Sequence, residues 1–275
     1  MKHTKWSVAL AIWIGVAVIV VAATFIAIIF FSGPKTTPLR PQVPLAPPSS
    51  EPPAQKGETD KPVQPIKPKT LPPQAKGLSR DDLGPGKVRL CPNSKEVAVV
   101  AGDGRLLGHH PYANAEPTML SSSPAGFNNG SCSQLHGEAK VALEKLIAGA
   151  RASDPAIADA MIGLSCFRSS TYQREVFCRK VADGFAVRAR ASAPPGYSEH
   201  ATGYAVDFGD RNNPQCNLSA CFAATPVGAW VVANAGQYGF VLSFPKGNGQ
   251  GVMYEPWHWR FQGSAAAKAT FAAAN

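Results

Sequence analysis

Between residues 34 and 75 the chain carries 13 of its 25 prolines. Proline fixes φ and has no N–H. Runs such as Pro44-Leu45-Ala46-Pro47-Pro48 and Pro65-Ile66-Lys67-Pro68-Lys69 therefore fit neither a helix interior nor a sheet ladder. The stretch reads as an extended, semi-rigid spacer, and folded structure must lie outside it. On its N-terminal side, Trp6 to Phe31 is a run of 26 residues without a charge. As a helix it would span roughly 39 Å, enough to cross a bilayer with some tilt. A cleaved signal peptide has an apolar core of only about 7–15 residues, so the run predicts an uncleaved anchor rather than a removed leader. Lys2 and Lys5 precede it and orient the N-terminus inward. The expected organisation is an anchor over 1–32, a Pro-rich linker over 33–85 and one folded domain over 86–275.

The formal net charge is +9, but its location matters more than its size. Residues 91–275 hold 15 Lys and Arg against 13 Asp and Glu, so the domain itself is only +2. A nucleic-acid groove needs basic residues clustered on the folded face, and this distribution argues against one. A basic tether beside an anionic membrane or wall polymer fits better.

The six cysteines are Cys91, Cys132, Cys166, Cys178, Cys216 and Cys221. None forms a Cys-x-x-Cys pair, which argues against a structural zinc finger. An even count in an exported domain predicts disulfides, with unpaired buried thiols as the alternative. Pairing of sequence neighbours, 91–132, 166–178 and 216–221, is the expectation here.

The domain reads as α+β with an antiparallel sheet, because helical patterns come before closely connected strands. Gly102-Asp103-Gly104 marks a hairpin within Val88 to Leu107. Ser121 to Ser133 reads as loop. Val141, Leu143, Leu146 and Ile147 predict an amphipathic helix over 136–152. Met161 to Phe167 and Ala205 to Phe208 read as core strands, with a helix over 171–182. Thr225-Pro226 is a helix start, N-cap followed by proline at the first position. Phe240 to Phe244 and Trp257 to Phe261 complete the strands.

Two segments concentrate the chemistry: Ser198-Glu199-His200-Ala201-Thr202-Gly203-Tyr204-Ala205-Val206-Asp207, and Glu255-Pro256-Trp257-His258. They supply imidazoles and carboxylates, the ligand types of a catalytic zinc site with one open position and a base beside it. His200, Asp207 and His258 form a sound ligand set. Asp207 sits among Ala205, Val206 and Phe208, where an unpaired carboxylate would be costly to bury. Asp210 reads instead as a solvent-exposed turn residue. Pro256 cannot join a ladder through its nitrogen, so an irregularity there can turn Glu255 toward His258. Glu199 is the competing base, but its place next to His200 predicts that it points outward. His3, His109, His110 and His136 read as structural or surface residues.

These segments, with Phe167-Arg168-Ser169, Tyr172-Gln173 and Gly239-Phe240-Val241, resemble the VanY-type zinc D-Ala-D-Ala carboxypeptidases. That family belongs to the superfamily named for lysostaphin, D-Ala-D-Ala metallopeptidases and sonic hedgehog. The resemblance runs from about Leu164 to Gly263. It implies Zn2+ on His200, Asp207 and His258, Glu255 as base, and Arg168 on the developing oxyanion or the substrate. It also implies Ser198, Gln173, Ser169 and Trp257 as substrate contacts. The implied substrate is the peptidoglycan stem peptide, cut by a membrane-tethered enzyme on the outer side of a bacterial cytoplasmic membrane. D,D-carboxypeptidase action leads; L,D-carboxypeptidase and endopeptidase action are alternatives. Hedgehog-type relatives imply a rival of another class, a zinc-containing binding module without catalysis.

Overall fold

The computed structural model describes residues 86–179 and 184–274. The anchor expected over 1–32 and the linker expected over 33–85 lie outside the described residues. Among the described residues no helix is long and apolar enough to cross a membrane.

Two short antiparallel ribbons come first: β1 (Lys87–Val88) with β2 (Ala98–Val99), and β3 (Leu120–Ser122) with β4 (Gln134–His136). Helix α1 (Gly137–Ser153) follows, capped by the His136 ring, whose Nδ1 accepts from Glu138 N. Asp154 then caps α2 (Pro155–Ala160), with proline at the first turn where no N–H is needed. The main sheet has the order β5-β6-β8-β7, all antiparallel. Its strands are β5 (Met161–Ser165), β6 (Ala205–Asp210), β7 (Phe240–Leu242) and β8 (His258–Phe261). Between β5 and β6 lie α3 (Ser170–Cys178) and α4 (Phe185–Ala189). Thr225 Oγ1 accepts from Gly228 N and starts α5 (Pro226–Asn234), as its Thr-Pro signature predicts. Helix α6 (Ala265–Thr270) closes the domain.

Strand side chains alternate between faces. Val206 and Phe208 of β6 enter the core with Leu143, Leu146, Val227, Val231 and Phe240. Asp207, between them, faces the other way. Phe208 is fully buried, and truncating a core phenylalanine to alanine costs about 3–5 kcal/mol. A second cluster joins Val88, Leu90 and Leu106 to Phe177, Phe185 and Tyr197. The N-terminal ribbon is thereby packed against α3 and α4.

The disulfides correct the pairing of sequence neighbours. They are Cys91–Cys178, Cys132–Cys166 and Cys216–Cys221. Only the last of the three expected pairs forms. The other two bridges join elements brought together by packing: the ribbon to the end of α3, and the segment before β4 to the residue after β5.

Candidate metal centre

Asp207 and His258 are direct cross-strand partners on β6 and β8, so their side chains emerge on one face. His200 comes from a 3-10 turn, Glu199–Thr202, just before β6. Gly203 ends that turn at φ 72°, and a Cβ there would meet His136 N at 2.9 Å. Glycine is therefore what lets the chain swing from the His200 turn into the strand that carries Asp207. The ligand atoms of His200, Asp207 and His258 lie within 4.8 Å of one another. His200 Nε2 is 3.1 Å from Asp207 Oδ2, and His258 Nδ1 is 2.8 Å from Asp207 Oδ1.

The nitrogens facing away are each tied down. His200 Nδ1 donates to Cys166 O at 2.7 Å. His258 Nε2 donates to Glu199 Oε2 at 3.0 Å. With these outer acceptors taking the far protons, His200 Nε2 and His258 Nδ1 are the nitrogens that would turn lone pairs to a metal beside Asp207, the arrangement that orients metal-binding imidazoles. Donors of a tetrahedral zinc site stand roughly 3.4 Å apart, given bonds of about 2.1 Å. Two imidazoles and one carboxylate near that spacing, open to a cleft, fit zinc.

The cleft measures about 280 Å³ and is lined by His200, Asp207, His258, Glu255, Arg168 and Ser198, with Trp257 and Glu199 among others. The turn at Pro256 and Trp257 brings in Glu255, whose carbonyl accepts from His258 N at 3.0 Å. Burial raises the Glu255 carboxyl to about 8; Asp207 and Glu199 add to the rise, while His258 and Arg168 oppose it. Arg168 follows β5, and its backbone N–H donates to His200 O. Its guanidinium Nε is buried without a hydrogen-bond partner. Burial lowers the Arg168 pKa, but guanidinium stays charged in proteins.

Two of the residues expected as substrate contacts lie elsewhere. Gln173 is fully buried, and its Nε2 donates to Ala193 O at 2.6 Å, bracing the loop along the cleft. Ser169 Oγ caps α3 by accepting from Tyr172 N.

Glu199 does not point outward. It is buried, and its carboxylate accepts from Ser243 Oγ at 2.5 Å, His258 Nε2 at 3.0 Å and Arg260 at 2.7 Å. Burial alone would raise its pKa; these partners reverse that and hold it at about 2. On a strand, neighbouring side chains oppose each other, but a 3-10 turn separates them by about 120°, so Glu199 and His200 both face inward. Asp210 is also buried, accepting from Asn212 N and Asn213 Nδ2 in the turn after β6. His109 is a cleft residue that its His-His context gave no sign of. Its Nε2 donates to Ala189 O at 2.8 Å, and burial lowers its pKa.

Residues 132–264 match the family model for VanY, D-alanyl-D-alanine carboxypeptidase. The YodJ protein of Bacillus subtilis is 39% identical over 112 residues, 39% of this chain and 40% of that protein. A D-alanyl-D-alanine carboxypeptidase of Enterococcus faecium is 39% identical over 77 residues, 27% of this chain and 23% of that protein. The chain thus spans less than half the length of either relative. Among solved structures, the LdcB LD-carboxypeptidase is 31% identical, with 57% of this chain and 73% of that chain covered, at a TM-score of 0.47. Residues 132–264, just under half of the chain, are thus similar to the VanY family of D-alanyl-D-alanine carboxypeptidases.

Proposed function

We propose that the protein is a zinc-dependent hydrolase of peptidoglycan stem peptides, acting as a D-alanyl-D-alanine carboxypeptidase. The observation that carries this reading is the convergence of His200, Asp207 and His258 within 4.8 Å, on a cleft that also holds the Glu255 carboxyl. A zinc ion held by those three residues supplies a Lewis acid for the scissile carbonyl and for water. Glu255 accepts the proton of the attacking water and returns it to the leaving amine. Its raised pKa suits both halves of that task, because a cation nearby draws a carboxyl back toward neutrality. The Arg168 guanidinium offers N–H donors to the oxygen that becomes negative during attack. Ser198 and Trp257 line the same cleft and are placed to touch the peptide.

We infer an extracytoplasmic site of action, on the outer face of a bacterial cytoplasmic membrane. Three disulfides among the described residues support an oxidising compartment. The uncharged run from Trp6 to Phe31 supports attachment to the membrane.

A binding module without catalysis needs neither a buried carboxyl beside the cation site nor a guanidinium over it. The presence of Glu255 and Arg168 therefore favours the enzyme. The test is to incubate the protein with stem peptides of defined length, with and without a chelator. Release of a single D-Ala from a pentapeptide ending in D-Ala-D-Ala, stopped by the chelator, is the expected result. Cleavage of a tetrapeptide end or inside the stem selects the L,D-carboxypeptidase or endopeptidase alternative. Indifference to the chelator rejects the zinc reading.

A further inference from the structure

The carboxylate of Glu199 uses both of its oxygens. Oε2 accepts from His258 Nε2 at 3.0 Å and from Ser243 Oγ at 2.5 Å, and Oε1 accepts from Arg260 at 2.7 Å. All four residues are buried. The terminal torsion of a glutamate side chain is soft, with broad two-fold wells, so its partners set the plane of the carboxylate. Here a charged donor on Oε1 and a hydroxyl on Oε2 fix that plane. The His258 proton meets an oxygen already held in place. Of these bonds, the one from a guanidinium to a carboxylate is of the strong, charge-assisted kind.

The sheet and the C-terminal segment place Arg260 for this task. It lies two residues after His258 on β8, so both side chains emerge on one face. Its Cζ sits 5.1 Å from the centre of the Phe271 ring, a cation–π contact. Its other terminal nitrogen donates to Ala274 O at 3.4 Å. Phe271 is itself fully buried, in edge contacts with Tyr112 and Tyr204. Phe271 and Ala274 lie beyond residues 132–264, the part similar to VanY. The chain therefore braces the metal centre with residues from outside that region.

Resting on the zinc reading above, we propose that Arg260 is a positioning residue for the metal centre: braced by Phe271 and Ala274, it locks the Glu199 carboxylate in the plane that receives the His258 Nε2 proton, and so presents His258 Nδ1 to the metal. Arg260 is not among the residues that line the metal cleft, so it acts through Glu199. Its effect is opposite in sign to that of its charge. A guanidinium acting only through space repels a divalent cation, and its removal would tighten zinc binding. A guanidinium that orients a ligand through Glu199 does the reverse. Its removal weakens zinc binding by about 10- to 100-fold, the usual worth of groups that orient metal ligands.

The experiment measures zinc affinity by chelator competition in Arg260→Met, Arg260→Lys and Arg260→Met combined with Glu199→Gln, with thermal melts of the metal-free proteins alongside. Arg260→Met, similar in reach and uncharged, is expected to bind zinc about 10- to 100-fold more weakly. Arg260→Lys keeps a charged donor for Oε1 and recovers most of that loss. Adding Arg260→Met to Glu199→Gln costs less than about 3-fold more, because residues that act through one contact are not additive. Unchanged or tighter binding in Arg260→Met overturns the proposal, as do losses that add in the double variant. Arg260→Lys no better than Arg260→Met also overturns it. A lower melt with zinc affinity intact overturns it too, since a packing role alone gives that result. Where Arg260→Met does not fold, Phe271→Leu decides. It leaves both charges in place, loosens the brace and is expected to weaken zinc binding by about 2- to 5-fold, the worth of a cation–π contact. Unchanged affinity there overturns the proposal. Absence of zinc binding by the unaltered protein rejects the metal reading itself. Tight binding there, with affinity indifferent to Arg260, rejects only the positioning role.

Discussion

Asp207 and His258 face each other across the β6–β8 pair, Oδ1 to Nδ1 at 2.8 Å, with each strand flanked by apolar core residues on its opposite face. The sheet register itself therefore assembles two of the three proposed zinc ligands. Asp207→Asn keeps the shape and removes the charge. It is expected to lower zinc affinity by more than about 100-fold, exceeding the 10–100-fold typical of residues that only orient ligands. Elemental analysis after dialysis against a weak chelator checks this; full zinc content removes Asp207 from the ligand set.

Glu255→Gln is expected to retain zinc and to lose about 10²–10⁴-fold in kcat, the usual worth of a general base. Paired metal content and turnover measurements separate this from metal loss. Undiminished turnover assigns the proton transfer to another group.

Glu199→Gln is expected to weaken zinc binding by about 10–100-fold, because the amide is a poorer acceptor for the His258 Nε2 proton. Competition with a chromogenic chelator reads the affinity directly. An unchanged dissociation constant means that His258 holds its orientation without this acceptor.

In the metal-free protein Glu255 and His258 should each contribute less stability as pH rises, while His200, His109, His110 and His136, whose pKa values burial lowers, act the other way. Glu255 has its pKa raised from 4.5 to about 8 in the folded state. The folded state therefore binds this proton more tightly than the unfolded state. The resulting stability is complete below about 4.5 and disappears as pH climbs through about 8. His258 acts in the same direction: burial works against its charge, but its bonds to Asp207 and Glu199 prevail and raise its pKa to about 10. Thermal melts of metal-free protein and of Glu255→Gln compared between pH 4.5 and 9 isolate the Glu255 part: the stability of the unaltered protein relative to the variant should fall as pH rises through about 8, and a constant or rising difference rejects it.

The helix starts at Thr225-Pro226 and the strand at Ala205 were legible because each has a local cause: a capping hydroxyl in one case, an apolar run in the other. The candidate site was legible because Gly203 and Pro256 advertise the two irregularities that turn side chains into the cleft. Glu199 was not, since strand-like alternation was applied to what folds as a 3-10 turn. The pairing of Cys91 with Cys178 was hidden for a different reason. Their separation of 87 residues is bridged only once the second cluster brings Leu90 and Phe177 together, which no local pattern records.

Removing the Cys132–Cys166 bridge with paired alanines opens a loop of 34 residues and should cost about 4 kcal/mol of stability by chain entropy alone. A urea titration at fixed metal loading measures it. Chelator competition on the same variant should also show weaker zinc binding, because Cys166 O is the acceptor for His200 Nδ1.

That last contact gives the bridge a meaning beyond reinforcement. The sulfur link fastens the very peptide group that tells His200 which nitrogen to offer. A reducing milieu would loosen that instruction before it unravelled the sheet. With the bridge unformed, His200 loses the fixed acceptor that sets its metal-facing nitrogen.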